Sequence, residues 1–384
     1  MLIFSLLIIT GIYFLMTSSL IFVWLKAPIS GFLDSEKVGE SLKISVIIPV
    51  RNEADNILLL LQDLEKQTFS KEKFEVIVAD DDSTDDTLKI IQSFQKNASI
   101  NLIINQLEPK VNNTSPKKRA IDSSIQLASG DLITTTDGDC RVGTNWLETI
   151  ATFQARTGAY LISCPVIFIQ NKSGLRSFFD AIQIIEFASL VGSGACAMFI
   201  KKPNMCNGAN LTYLKTAFYE VDGFKGNEDL ASGDDEFLMH KIAKIHSEKV
   251  FFLKNKATIV QTHAHQSWQS FYNQRKRWAS KWRHYNNWQT TALAVFVFFA
   301  NLALPLSLIA CFFTQIPNDF LNRLFFLKFS AEFIFLSLIV SFLDKKRLIW
   351  LIPFVQIIYP FYVVFFGLVA QNKTEYTWKG RKLK

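Results

Sequence analysis

Residues 2–25 carry no charged side chain, and nothing else in the chain narrows its fold so far. A helix needs roughly 20 apolar residues to cross the hydrocarbon of a bilayer, and this run supplies them. It lacks the basic start, short apolar core and small-residue cleavage site of a removable signal peptide, so it reads as a retained anchor. Lys26 follows directly, which favours a cytoplasmic position for residue 27 onward. Three more apolar segments, residues 291–313, 324–343 and 348–370, lie beyond residue 290. The pooled composition, 49% hydrophobic, therefore conceals a soluble body between apolar ends.

The basic run Lys345-Lys346-Arg347 belongs on the cytoplasmic side by the same charge rule. A full crossing by the last segment would then carry the basic tail outside. Pro353 and Pro360 interrupt that segment, so a re-entrant path is the other reading. The expected organisation is an anchor at 1–26, a cytoplasmic body at 43–289 that includes interfacial helices, membrane-spanning or re-entrant segments at 290–370, and a basic tail at 371–384. Such a chain sits in the inner cell membrane as a multi-pass protein.

The net charge of +7 suits retention at an acidic lipid surface. No nucleic-acid motif accompanies it, so nucleic acid is not expected as a partner. The five cysteines, at 140, 164, 196, 206 and 311, lack paired metal spacing and read as reduced packing residues.

From Lys43 the pattern alternates. Residues 44–50, 74–79, 100–104 and 132–136 are short β-rich runs. Between them, 55–67, the stretch carrying Leu88, Ile91 and Phe94, and 117–128 have helical periodicity; in the first, leucines 58, 59, 61 and 64 form the expected face. Strand–helix alternation with short connections predicts an α/β fold with a mostly parallel sheet and helices on both faces. Ligands of such sheets bind beyond the carboxyl ends of the strands, and the acidic clusters sit there.

Asp137 and Asp139 follow the run Leu132–Thr135. Two carboxylates one residue apart at a strand end offer hard oxygens to Mg2+ or Mn2+ and, through the ion, to a diphosphate; a solvated turn is the plain alternative. Asp80 and Asp81 end the second run. One of them is suited to accept a nucleobase N–H, while the Asp-Ser-Thr-Asp string that follows also suits helix capping. Asp234 and Asp235 precede the helical pattern 237–243, where acids stabilise a helix start or serve as a general base. Gln274, Arg277 and Trp278 stand in the aromatic, basic stretch 268–288, which suits an interfacial helix; an arginine there would neutralise a departing diphosphate, and a tryptophan face would stack on a sugar.

In order and spacing these pieces resemble glycosyltransferase family 2, inverting nucleotide-sugar enzymes of GT-A fold, in its membrane-bound branch with a Gln-x-x-Arg-Trp motif. The resemblance runs over roughly residues 43–280. It is carried by Ser45–Glu53, Asp80–Asp85, Lys117–Ala120, Gly130-Asp131, Asp137-Gly138-Asp139, Asn207–Asn210, Asp234-Asp235 and Gln274-x-x-Arg277-Trp278. It implies that Pro49, Arg51 and Glu53 line the nucleotide pocket, that Asp81 with Asp80 contacts the base of a UDP-sugar, and that Lys117 lies near the nucleotide. It further implies that Asp137 and Asp139 hold ribose or a divalent metal, that Asp235 is the base, and that Asp234, Gln274, Arg277 and Trp278 serve the diphosphate and acceptor. Two departures stand out. The family's Asp-Asp-Gly turn reads Asp80-Asp81-Asp82, and its Glu-Asp pair reads Asp234-Asp235.

The membrane ends favour a lipid or membrane-associated acceptor hydroxyl. Residues 175–200, apolar with Phe178, Phe179, Ile182 and Phe187, suit either an interfacial helix that admits a lipid or an ordinary core helix. A processive polysaccharide synthase is the alternative activity, weighed against the three or four spans counted from the sequence. A non-catalytic membrane scaffold is the reading from another class, and retention of every expected acid argues against it.

Overall fold

A computed structural model of the chain describes residues 2–29, 42–108, 115–171, 174–228, 230, 232–280, 288–313, 318–370, 376–378 and 381–383. Residues 281–287 of the expected interfacial stretch and most of the basic tail lie outside these. The chain divides into two compact units. One takes Ala27–Ile169, Ala197–His263 and Glu375–Lys384; the other takes Met1–Lys26, Gln170–Cys196 and Ala264–Thr374.

The first unit is built on a seven-stranded sheet. Its strands are β1 (Ile44–Val50), β2 (Phe74–Asp80), β3 (Asn101–Gln106), β4 (Leu132–Thr135), β5 (Leu161–Ser163), β7 (Leu211–Leu214) and β8 (Val250–Phe252), ordered β3-β2-β1-β4-β7-β5-β8. β1 runs parallel to β2 and β4, β2 to β3, and β5 to β8; only β7 is antiparallel to its neighbours β4 and β5. This is the mostly parallel α/β sheet that the alternation predicts. Its central strands are buried on both faces, which is why Ile44–Val50 and Phe74–Asp80 read as continuous apolar runs and not as alternating ones. A smaller sheet pairs β6 (Val166–Ile169) in parallel with β9 (Val260–His263).

The connecting helices of the first half are α2 (Ile57–Glu65), α3 (Thr87–Gln95) and α4 (Pro116–Leu127), followed by α5 (Trp146–Thr157), α7 (Lys215–Glu220) and α8 (Glu236–His246). α2 buries Ile57, Leu60, Leu61 and Leu64, a face at i, i+3, i+4 and i+7. Leu58 and Leu59, expected on that face, are exposed instead. Five consecutive aliphatic residues, 57–61, hide the phase of the helix from the sequence. Asn210, just before β7, is fully buried. Its side chain accepts from Trp146 Nε1 at 3.0 Å and donates to the carbonyls of Pro165 and Thr258 at 2.8 and 2.7 Å, so a buried amide is satisfied at both ends.

The second unit is helical: α1 (Leu2–Lys26), α6 (Gly174–Phe199), α9 (Trp268–Ser280), α10 (Trp288–Phe313), α11 (Asn318–Phe342) and α12 (Ile352–Val369), the last preceded by a 3-10 segment, Lys346–Leu351. Among the described residues, five helices are long and apolar enough to cross a membrane: α1, α6, α10, α11 and the segment Lys346–Val369. α6 joins the four apolar segments counted from the sequence. Leu6, Ala303, Phe320 and Leu324 pack together from α1, α10 and α11. A buried polar network also joins these helices. Lys328 donates to Glu332 at 2.6 Å and to Asn301 at 3.1 Å, and Tyr13 and Gln356 donate to Glu332 at 2.7 and 3.2 Å.

Candidate active site

β1 and β2 end level, and β4 stops three residues short of the end of β1. Val50 of β1 pairs with Asp80 of β2, and Ile47 with Thr135 of β4. Past these ends Asp81 N–H donates to Val50 O at 2.9 Å and Thr136 N–H to Ile47 O at 3.2 Å. The polar segments after β1, β2 and β4 are thereby held against one another at the carboxyl edge of the sheet, where ligands of such folds bind.

Arg51 leaves β1 and donates to the carbonyls of Asp81 and Asp82, each at 2.5 Å, and to the Asp82 carboxylate at 3.4 Å. Asp82 has φ +58°. It occupies the position where the resembled family has glycine, and the left-handed backbone explains that preference; aspartate is among the few other residues that adopt it. Asp80 accepts from the backbone and the hydroxyl of Ser83, so it stabilises the turn. Asp81, 2% exposed, accepts from Arg119 at 2.5 Å. Glu53 N–H donates to Thr87 Oγ1 at 2.8 Å and its carboxylate accepts from Asn56 at 2.8 Å. Pro49, half-buried, stands opposite Ala79 in the β1–β2 register.

Asp137-Gly138-Asp139 crosses this edge from β4. A Cβ on Gly138 would lie 2.8 Å from Val50 Cγ1 and 3.1 Å from Glu53 Cγ, so only glycine lets the turn pack on the end of β1. Asp139 accepts from Thr262 Oγ1 at 3.2 Å. Asp137, with its side chain 39% exposed, accepts from Lys117 Nζ at 2.7 Å. Among the described residues no group of three or more His, Cys, Asp or Glu side chains is arranged to hold a metal by itself. A hard divalent ion needs no such cage here, because Mg2+ binds through one or two carboxylates and completes its shell with water and substrate phosphates. Asp137 and Asp139 fit that role chemically.

The third cluster reaches the same edge by a different route. Asp235 caps α8, accepting from Glu236 N–H at 2.7 Å with one oxygen and from Gly208 N–H at 2.9 Å with the other. Gly208 O accepts from Thr135 Oγ1 at 2.7 Å, so the Asn207–Asn210 turn ties the start of α8 to the end of β4. A Cβ on Gly208 would stand 3.0 Å from Asp234 Oδ2; the acid pair packs directly on this glycine. Asp234 Oδ2 lies 3.4 Å from Lys117 Nζ. Burial would lower the Lys117 pKa, but Asp137 and Asp234 outweigh it and hold the ammonium well above its ordinary value. His240, one turn into α8, is pushed below the usual histidine range by burial, against the opposing pull of the Asn204 backbone and the Asp235 charge.

Ten of the expected residues therefore meet in one unit: Pro49, Arg51, Glu53, Asp80, Asp81, Lys117, Asp137, Asp139, Asp234 and Asp235. Gln274, Arg277 and Trp278 stand on α9 in the helical unit. There Gln274 accepts from Arg275 at 2.5 Å. Arg275 is buried, pairs with Glu186 of α6, and lies 4.4 Å from the centre of the Trp278 ring. Arg119, Thr262 and Gly208 were not singled out from the sequence. Arg119 and Gly208 lie inside the Lys117–Ala120 and Asn207–Asn210 strings, so position alone could have raised them; Thr262 acts through a contact far along the chain and carries no local signal.

The chain matches the sequence profile of glycosyl transferase family 2 over residues 45–208, and that of glycosyl transferase family group 2 over residues 132–368. The second match takes in more than half of the chain. The chain belongs to glycosyl transferase family group 2. Similar proteins include the glycosyltransferase AglE of Haloferax volcanii, 35% identical over 50% of this chain and 58% of AglE. The poly(ribitol-phosphate) beta-N-acetylglucosaminyltransferase TarS of Staphylococcus aureus is 37% identical over 29% of this chain and 19% of TarS. The chain thus spans little more than half the length of the first relative and a fifth of the second. In fold, this family group 2 chain is similar to a mannosyltransferase from Pyrobaculum calidifontis determined with GDP-Man and Mn2+. That likeness has a TM-score of 0.57 at 15% identity and covers 96% and 95% of the two chains.

Proposed function

We propose that this glycosyltransferase transfers a sugar, with inversion, from a nucleoside diphosphate sugar to a hydroxyl of a lipid or membrane-associated acceptor. The observation that carries this reading is the convergence of Asp81, Asp137, Asp139, Asp234 and Asp235 at the carboxyl edge of one parallel sheet, joined there by Arg119 and Lys117. Asp81 and Arg119 present an acceptor and donors suited to a base such as uracil. Pro49, Arg51, Glu53 and Asp80 shape the pocket around it. A divalent ion at Asp137 and Asp139 would supply positive charge to the diphosphate as it leaves; the Mn2+ bound by the Pyrobaculum enzyme of like fold is in keeping with this.

Asp235 is the proposed base. Its bonds from the Gly208 and Glu236 N–H groups fix the carboxylate in one orientation at the start of α8. It takes the hydroxyl proton as that oxygen attacks the anomeric carbon on the face opposite the diphosphate. The roles of Gln274, Arg277 and Trp278 towards diphosphate and acceptor rest on the resemblance. The apolar helices support a membrane location, and Lys26 supports a cytoplasmic active site. One observation favours keeping the processive reading: among the described residues five helices, not three or four, are long and apolar enough to span. Purified full-length protein in detergent, given a panel of UDP- and GDP-sugars, Mg2+ or Mn2+ and total membrane lipid, tests the proposal. Label moving into the organic phase supports lipid glycosylation, a high-mass gel product supports polymerisation, and no turnover of any donor contradicts both.

A further inference from the structure

Lys117 does more than lie near a nucleotide. Its ammonium, with the side chain 22% exposed, contacts Asp137 at 2.7 Å and Asp234 at 3.4 Å. Asp137 leaves β4 on the side assigned to the donor; Asp234 belongs to the acid pair assigned to the acceptor. One cation therefore bridges two groups far apart in the chain. Its position is set by its neighbour. Lys118, 2% exposed, donates to the carbonyls of Asn227 and Leu230 at 2.5 and 2.9 Å and lies over the Phe237 ring. The first turn of α4 is thereby fastened to the segment that leads into Asp234-Asp235.

The charges impose a constraint. Asp137, Asp139, Asp234 and Asp235 place four carboxylates around this edge, and the single charge of Lys117 lies between two of them. One oxygen of the Asp137 carboxylate, Oδ1, holds the ammonium at hydrogen-bond distance. A bare Mg2+ or Mn2+ approaching Asp137 is opposed by the like charge of that ammonium. An ion that arrives with a nucleoside diphosphate comes with two or more negative charges, which offset that repulsion and offer the ammonium further partners.

We propose that Lys117 is an internal counter-ion that holds Asp137 in place of the metal, so that the divalent ion binds well only together with the nucleoside diphosphate. The inference rests on the nucleotide-sugar reading above. Lys117 is in this account a positioning residue. It holds Asp137 beside Asp234 before the donor arrives and afterwards lends its charge to the diphosphate and Asp234.

The test uses the full chain in detergent and Mn2+ alone, followed by electron paramagnetic resonance of the free ion, then Mn2+ with UDP by calorimetry. Wild-type protein should bind Mn2+ alone at least ten times more weakly than in the presence of UDP. Lys117→Met should tighten Mn2+ alone by about tenfold and shrink that synergy by a similar factor. Lys117→Arg, which keeps the charge, should behave like wild type. Circular dichroism checks that both variants fold; should Lys117→Met fail to fold, the wild-type synergy decides, and its absence overturns the proposal. Mn2+ affinity unchanged or weakened in folded Lys117→Met, with UDP still bound by wild type, overturns the role of Lys117 alone. Wild-type protein that binds neither UDP nor GDP with Mn2+ present overturns the nucleotide-sugar reading itself.

Discussion

Asp82 shows how a departure from a motif is absorbed by one residue. Its φ of +58° costs an ordinary L-residue roughly 1–2 kcal/mol, and Arg51 grips its carbonyl and carboxylate. Asp82→Gly should leave thermal stability equal or slightly higher, while Asp82→Ala should lower it by about 1 kcal/mol; equal midpoints for both variants would show that the backbone there is unstrained. His240 gives a pH-dependent prediction. Burial holds its pKa below that of an unfolded histidine, against the Asn204 backbone and Asp235. Below about pH 6.5 the unfolded chain therefore binds more protons than the folded one, so stability falls as pH drops through that range and levels off once the folded pKa is passed. Unfolding free energies at pH 7.5 and 5.5 should converge in His240→Asn, by up to about 1.4 kcal/mol for each unit of pKa difference. Parallel slopes in wild type and variant would exclude the residue as a source.

At the scale of elements, α11 carries Lys328 and Glu332 one turn apart, both buried, with Asn301 of α10, Tyr13 of α1 and Gln356 of α12 completing their hydrogen bonds. Removing one member of a buried pair strands the other charge at a cost of roughly 3–5 kcal/mol, whereas an apolar replacement of both is often near neutral. Lys328→Met should therefore lower the unfolding midpoint in detergent sharply, and Lys328→Met with Glu332→Leu should recover most of the loss. A double variant as unstable as the single one would contradict this. The same helices show what the sequence conceals. α1 and α10 are legible because no charge interrupts them. α6 is harder to read as a span because Arg176, Asp180 and Glu186 break its apolar run, and only the fold shows that Asp180 caps Asn171 and Glu186 pairs with Arg275. The strands of β1 to β4 follow from local periodicity, whereas the insertion of antiparallel β7 between β4 and β5 is a long-range pairing that no local pattern encodes.

For the whole molecule, the family profile at residues 132–368 runs from β4 through the last apolar helix, so the family to which this chain belongs takes in both the sheet and the helical segments. The acid clusters after β2 and β4 were legible because parallel strands deliver their carboxyl ends to one edge. The bonds between them were not: Lys117 to Asp234, Gly208 to Asp235 and Thr262 to Asp139 join residues brought together only by the finished fold. Asp137 and Asp139 hold the donor side in this account, and proton transfer falls to Asp235 on the acceptor side. The most direct test is transfer by Asp235→Asn measured beside its binding of UDP with Mn2+. Transfer should fall by about 100-fold or more with nucleotide affinity within a few-fold of wild type. Wild-type turnover in that variant would contradict the assignment of the base and the chemistry built on it.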